Sequence, residues 1–166
     1  MELRVLAVGD VVGVSGLKHL EKHLRSVKRL YGVDFCVVNG ENASGVGLTP
    51  QQADAMLDAG ADVITLGNHT WNRREICPYL DDSAYILRPA NFQPSLPGRG
   101  WGIFETKAGP VVSVLGVKPE QSIALFRGEL TSRYETAPGA CKLCGAVFTI
   151  NTATRLCTKV ERVTVL

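Results

Sequence analysis

Apolar residues in the first half of the chain alternate between short continuous runs and helical stripes. Leu3-Arg4-Val5-Leu6-Ala7-Val8 is apolar enough for a strand buried on both faces. Leu17, Leu20, Leu24, Val27 and Leu30 then recur at helical spacing up to Tyr31, and Gly32 is placed to end that helix. Val33 to Val38 reads as a second strand. Thr49-Pro50-Gln51-Gln52 opens a helix, with Thr as N-cap, Pro at the first helical position and Gln at the third. Ala53, Met56 and Leu57 give that helix its packing side, Gly60 ends it, and Asp62 to Leu66 is a third strand. Asn72-Arg73-Arg74-Glu75 predicts the capped start of a short helix reaching Leu80, and Tyr85-Ile86-Leu87 a short strand. A β-α-β-α-β order with short loops implies parallel strands and right-handed crossovers.

The second half alternates differently. Arg88-Pro89-Ala90-Asn91-Phe92 leaves the short strand as a rigid loop, and Pro94, Pro97, Gly98, Gly100 and Gly102 keep the next stretch irregular. Gly102 to Thr106 and Val111 to Leu115 bracket a turn at Ala108-Gly109-Pro110 and predict a hairpin. Pro119 to Phe126 predicts a short helix. Tyr134-Glu135-Thr136, Ala146 to Ile150 and Val160 to Val165 predict antiparallel strands closing the sheet. The expected fold is α/β: a parallel βαβ core with additional antiparallel strands, in one domain over residues 1–166. Residues 1–115 form its N-terminal half and 116–166 a C-terminal helix and strands.

Bulk properties narrow the function. The 166 residues carry a net charge of +2 with no Lys/Arg cluster, so no extended nucleic-acid or membrane surface is expected. The chain enters its first strand directly from Met1, without a signal-peptide core, and no apolar run could span a bilayer. Five scattered cysteines read as reduced thiols in a cytoplasmic protein, Cys36 among them as a core strand residue. Cys141-Lys142-Leu143-Cys144 with Cys157 offers three thiols where a structural zinc needs about four ligands. That cluster reads as a cysteine-containing hairpin outside any active site.

The chemistry gathers where strands stop. Val8-Gly9-Asp10, Asn39-Gly40-Glu41-Asn42 and Leu66-Gly67-Asn68-His69 each end an apolar run at or beside a glycine and then present polar side chains. An α/β sheet builds a site in this way at the carboxyl edge of its strands. Asp10, Glu41, Asn42 and Asn68 are four oxygen ligands for divalent metal, and Glu41 is able to bridge two cations. His69, next to a ligand, is placed to give a proton to a leaving oxygen. Gly45 and Gly47 lie in a loop entering a helix N-terminus, and with Arg88 they are candidate phosphate contacts. His19 and His23 share a helix face among Lys18, Lys22 and Arg25, and are expected on a solvated surface.

Four motifs carry a resemblance: Gly9-Asp10-Val11-Val12-Gly13, Asn39-Gly40-Glu41-Asn42-Ala43, Gly67-Asn68-His69-Thr70-Trp71 and Arg88-Pro89-Ala90-Asn91-Phe92. In order and spacing they resemble the YmdB-like branch of the calcineurin-type metallophosphoesterases over about residues 2 to 115, and the tail from Gly116 to Leu166 resembles that family's end. The resemblance implies a dinuclear phosphodiesterase of small phosphodiesters such as 2′,3′-cyclic nucleotides, in a metallophosphoesterase-like sandwich. It makes Asp10, Glu41, Asn42 and Asn68 metal ligands, with Glu41 bridging, and His69 the general acid.

The chain also departs from the pattern. The family draws further ligands from a central block of histidines, whereas this sequence has three histidines and none after His69. A truncated sandwich with an oxygen-only half-site is therefore expected. Of the family's Fe, Mn, Mg or Zn it should favour Mn or Mg, held weakly and without a full pair. Surface that the central block would cover predicts a homo-oligomer. The alternative is a catalytically degenerate homologue, a regulatory module that binds metal or phosphate without turnover. A dinucleotide-binding domain is the weakest reading, since Gly9, Gly13 and Gly16 lack the GxGxxG spacing.

Overall fold

The computed structural model describes residues 1–106, 109, 111–115 and 141–166. The chain runs β1 (Glu2–Asp10), α1 (Gly13–Tyr31), β2 (Phe35–Asn39), α2 (Pro50–Ala59), β3 (Val63–Thr65), α3 (Ile76–Asp82), β4 (Ile86–Leu87), β5 (Trp101–Glu105), β6 (Val111–Leu115), β7 (Leu143–Asn151) and β8 (Leu156–Val165). Six strands form one mixed sheet in the order β4-β3-β2-β1-β7-β8. The first four are parallel, and β7 and β8 add antiparallel strands beyond β1. The expected parallel core with antiparallel closure is the observed fold. The helix expected at Pro119 to Phe126, the strand at Tyr134 to Thr136, and Ala108 and Pro110 of the hairpin turn lie outside the described residues.

Period-two alternation sorts the buried strand residues onto two faces. Leu6, Val8, Cys36, Val38, Ile64 and Ile86 pack with Leu20, Leu24 and Val27 of α1 and Ala53 and Met56 of α2. The intervening Phe35, Val63 and Leu87 pack on Phe104, with Val5, Val37 and Val114 alongside. Phe104 and Val114 belong to the β5–β6 hairpin, which forms its own two-stranded sheet over that second face. Helices therefore cover one side of the parallel core and a small sheet the other. Each fully buried Leu or Ile contributes about 1.5–3 kcal/mol relative to exposure.

Several boundaries differ from the sequence reading, and three of them bear on the candidate chemistry. β1 continues through Gly9 to Asp10 because a bulge there lets Val8 pair with Val38 and Asp10 with Asn39. The helix expected to start at Asn72 starts at Ile76, since residues 69–75 are taken up by tight turns, with Asn72 N–H on the His69 carbonyl and Ile76 N–H on that of Arg73. β7 starts at Leu143 and carries Cys144 within it. Cys144 pairs with Thr164 and Cys157 with Ile150, about 20 Å apart along the hairpin. The three late cysteines therefore do not converge.

Candidate active site

The parallel strands deliver their polar ends to one edge because every βα loop leaves from the same side of the sheet. After β2, the Asn39 side-chain oxygen accepts the Glu41 N–H at 3.1 Å, and this local turn swings Glu41 back into the protein. Glu41 is fully buried. After β3, the His69 backbone N–H donates to Glu41 Oε1 at 2.9 Å, tying two strand ends together through one carboxylate. Thr70, itself buried, closes the turn that makes this possible: its hydroxyl donates to the Gly67 carbonyl at 2.6 Å. Gly67 must be glycine here, because a Cβ would lie 2.3 Å from Glu41 Oε1 and 2.4 Å from Oε2.

The remaining candidates form a chain of hydrogen bonds across the edge. Asn42 Nδ2 donates to Asp10 Oδ2 at 2.6 Å, and Asn42 Oδ1 lies 3.1 Å from His69 Nδ1. His69 Nδ1 is also 3.7 Å from Glu41 Oε1. Asp10, Glu41, Asn42 and His69 are thus brought together as the sequence predicts. Asn68, next to His69 in the chain, has a side-chain oxygen that is buried and has no hydrogen-bond partner among the described residues. A buried orphan acceptor costs about 1–3 kcal/mol unless something external fills it. A hard cation fits this donor set of two carboxylates and two amide oxygens. Among the described residues, no three His, Cys, Asp or Glu side chains cluster to hold a metal, so the amides are essential to that fit.

The phosphate candidates are placed differently. The Arg88 guanidinium is buried and donates to the carbonyls of Gly98, Pro89 and Gln93 at 3.0, 3.0 and 3.3 Å. It holds its own Pro- and Gly-rich loop in shape instead of facing a phosphate. The Gly45 N–H is bonded to the Asn42 carbonyl and the Ser44 N–H to that of Gly47, so the loop uses these amides internally. Gly47 has a left-handed φ of 84°, and a Cβ there would meet Arg73 and the His69 carbonyl. It packs the β2 loop against the β3 loop. The Arg73 guanidinium reinforces that contact on the Ser44 carbonyl, and Trp71 reaches the Pro97 carbonyl of the Arg88 loop.

Two residues escape the sequence reading. Thr70 carries no local signal of its role as a turn clamp. His19, expected on a solvated helix face, has a buried Nε2 without a hydrogen-bond partner among the described residues, and the residue lines a cavity beside Asp10. Gly16, His19 and Leu20, at helical i, i+3 and i+4, form that face of α1. His23 stacks on His19 at 4.4 Å, and desolvation, His19 and Lys22 together push it below the usual histidine value. Cys36, in contrast, is inert: burial pushes its thiol up to about 12.

Known proteins resemble this chain in sequence and in fold. A model of the family described as "YmdB-like protein" matches residues 6–112. The 2′,3′-cyclic-nucleotide 2′-phosphodiesterase of Bacillus subtilis is 42% identical over 99 residues, which is 59% of this chain and 38% of that protein. The chain spans well under half the length of the curated relatives it matches. A Mycoplasma pneumoniae crystal structure described as a novel phosphatase superimposes with a TM-score of 0.77 at 19% identity, over 99% of this chain and 94% of that one. A hypothetical protein from Thermus thermophilus does so with a TM-score of 0.77 at 18% identity, over 98% and 99%. These two likenesses establish the shared fold.

Proposed function

The chain belongs to the YmdB-like family, and from that membership we propose that it is a phosphoesterase of small phosphodiesters, 2′,3′-cyclic nucleotides among them, working with a divalent cation at the ends of β1, β2 and β3. The observation that carries this reading is the strand-end cluster in which Asp10, Asn42, His69 and Glu41 are linked, next to an Asn68 oxygen with no hydrogen-bond partner among the described residues. Asp10, Glu41, Asn42 and Asn68 would hold the cation, Mn or Mg in preference to softer ions because every donor is oxygen. When bound, such an ion polarises the phosphoryl group and lowers the pKa of a water.

The chain's own residues account for orientation and proton transfer. Asn42 Nδ2 on Asp10 fixes the amide so that its oxygen faces His69 Nδ1, and that oxygen has lone pairs for both the ring and a cation. With Nδ1–H donated to Asn42, His69 keeps Nε2 to carry the proton that leaves. In hydrolysis of a cyclic phosphodiester, the water oxygen bonds to phosphorus and one P–O bond to the ribose breaks. The proton from Nε2 goes to the departing ribose oxygen. Burial of Glu41 keeps its carboxylate fixed, and its bond to the His69 amide sets where the ring emerges.

Two further parts belong to this proposal. A cytoplasmic location agrees with five free thiols, and no helix among the described residues is long and apolar enough to cross a membrane. Self-association agrees with exposed Tyr85, Trp101 and Ile103 on one side of the fold. Light scattering behind a sizing column should find a mass above that of one chain; a monomer at all concentrations rejects self-association.

A second reading, binding without turnover, is favoured by the lack of a three-residue His, Cys, Asp or Glu cluster among the described residues. Hydrolysis of 2′,3′-cyclic AMP with Mn²⁺ separates the two. The proposal predicts turnover that falls about 10²-fold or more in His69→Ala, the scale of a lost general acid. No turnover at any metal concentration establishes the binding reading.

A further inference from the structure

Exposure alternates along β5 and the residues that lead into it. Gly100 and Phe104 are buried, whereas Arg99, Trp101, Ile103 and Glu105 are exposed. The inner side packs through Phe104 on Phe35 of β2. The outer row leaves large apolar groups in water: Trp101 is 60% exposed and Ile103 63%. Tyr85, which lines the same hollow as Ile103, is 53% exposed. Adjoining apolar groups of this size mark a contact surface.

The relief around the row suits a second protein surface. A hollow of about 490 Å³ lies between the row and the Arg88 loop, with Phe92 and Pro94 in its wall. Another of about 380 Å³ reaches toward Tyr85 and Asp62. Arg99, Gly102 and Ile103 line both, so the row stands as a ridge between two sockets.

The order of charges identifies the partner. Arg99 and Glu105 are separated by about 20 Å of extended chain, too far to pair with each other. Among the described residues, neither side chain has a hydrogen bond or an ion pair. A partner of uniform charge would be repelled at one end of the row. A second copy, related by a two-fold axis through Gly102, matches both ends: position 99 then faces 105, and 101 faces 103.

We propose that the outer face of β5 is the contact between two copies of this chain. They pack face to face with their β5 strands antiparallel, Arg99 of each copy on Glu105 of the other and Trp101 on Ile103 at the centre. The proposal rests on the self-association inferred above and gives that association its surface and its symmetry. A contact that uses the same patch on both copies closes at a dimer.

Sedimentation equilibrium over a range of protein concentrations tests this. The wild type should fit a monomer–dimer equilibrium. Arg99→Glu and Glu105→Arg each set like charges across the contact twice, and each should raise the dissociation constant about tenfold or more. The double variant carrying both changes restores both pairs and should recover most of the wild-type affinity. Mixing the two single variants should also raise the mass, because their heterodimer has opposite charges at both ends. Trp101→Ala removes the central aromatic anchor and should weaken association about a hundredfold. Circular dichroism on each variant confirms that the fold is intact.

A wild type that associates, with the same constant in Arg99→Glu, Glu105→Arg and Trp101→Ala, refutes this surface while self-association stands. Single variants that weaken association, with recovery neither in the double variant nor on mixing, refute the two-fold pairing. A wild type that stays monomeric at all concentrations rejects self-association and this contact together.

Discussion

Glu41 organises the site at the scale of single residues, because a carboxylate with no exposed surface requires partners fixed around it. It receives the His69 amide, and Gly67 leaves room for both of its oxygens. Gly67→Ala should force the carboxylate to move, lowering stability by about 1–3 kcal/mol and Mn²⁺ affinity by about tenfold or more. Calorimetric titration together with thermal melting checks this; unchanged affinity would show that the Gly67–Glu41 contact does not govern the site. That Asp10, Glu41, Asn42 and His69 would meet was legible in the sequence because polar residues stand out at the ends of apolar strands. Arg88 was not, since a sequence does not tell which carbonyls a guanidinium will meet in a folded loop. His19 was hidden for a related reason: helical spacing identifies a face but not what that face is laid against.

Among the elements, α2 shows local chemistry settling structure. Thr49 and Gln52 form the expected capping box, and Gln52 also donates to the Ala43 carbonyl while its oxygen accepts from the Ser44 hydroxyl. One side chain thus fastens the helix start to the loop that follows Glu41 and Asn42. Gln52→Ala should cost about 1–2 kcal/mol and loosen that loop, seen as faster amide exchange at residues 43–47. Unchanged exchange there would refute the fastening role. α3 is pinned to α2 by the Tyr79 hydroxyl on the Asp54 carboxylate. That hydrogen bond, then burial, raises the Tyr79 phenol to about 12 from an ordinary value of 10.0. Between these values the folded state binds the extra proton, so the stability it contributes is complete below about pH 10 and is lost as pH rises toward 12. Urea unfolding across that window should show a steeper decline for the wild type than for Tyr79→Phe, and parallel declines would contradict the pairing.

On the scale of the molecule, the sheet order follows from the same alternation that marks the strands. Consecutive apolar runs with short helical crossovers left few arrangements other than parallel neighbours, and β1 to β4 adopt that order. What could not be read was which partner each late strand would choose. Pairing of β7 with β1 joins residues over a hundred positions apart, and no local pattern records it. The same holds for β5 and β6, whose hairpin was legible but whose position over Phe35, Val63 and Leu87 was not. The outcome that matters for function is that three parallel strand ends share one edge, which carries the oxygen donors proposed to hold a hard cation. Mn²⁺ binding followed by electron paramagnetic resonance, on wild type and Asn68→Ala, tests that claim most directly. Saturable binding in the wild type, weakened about tenfold or more by Asn68→Ala with the fold intact by circular dichroism, is the predicted result. Equal binding by the two proteins, or none by the wild type, would contradict it.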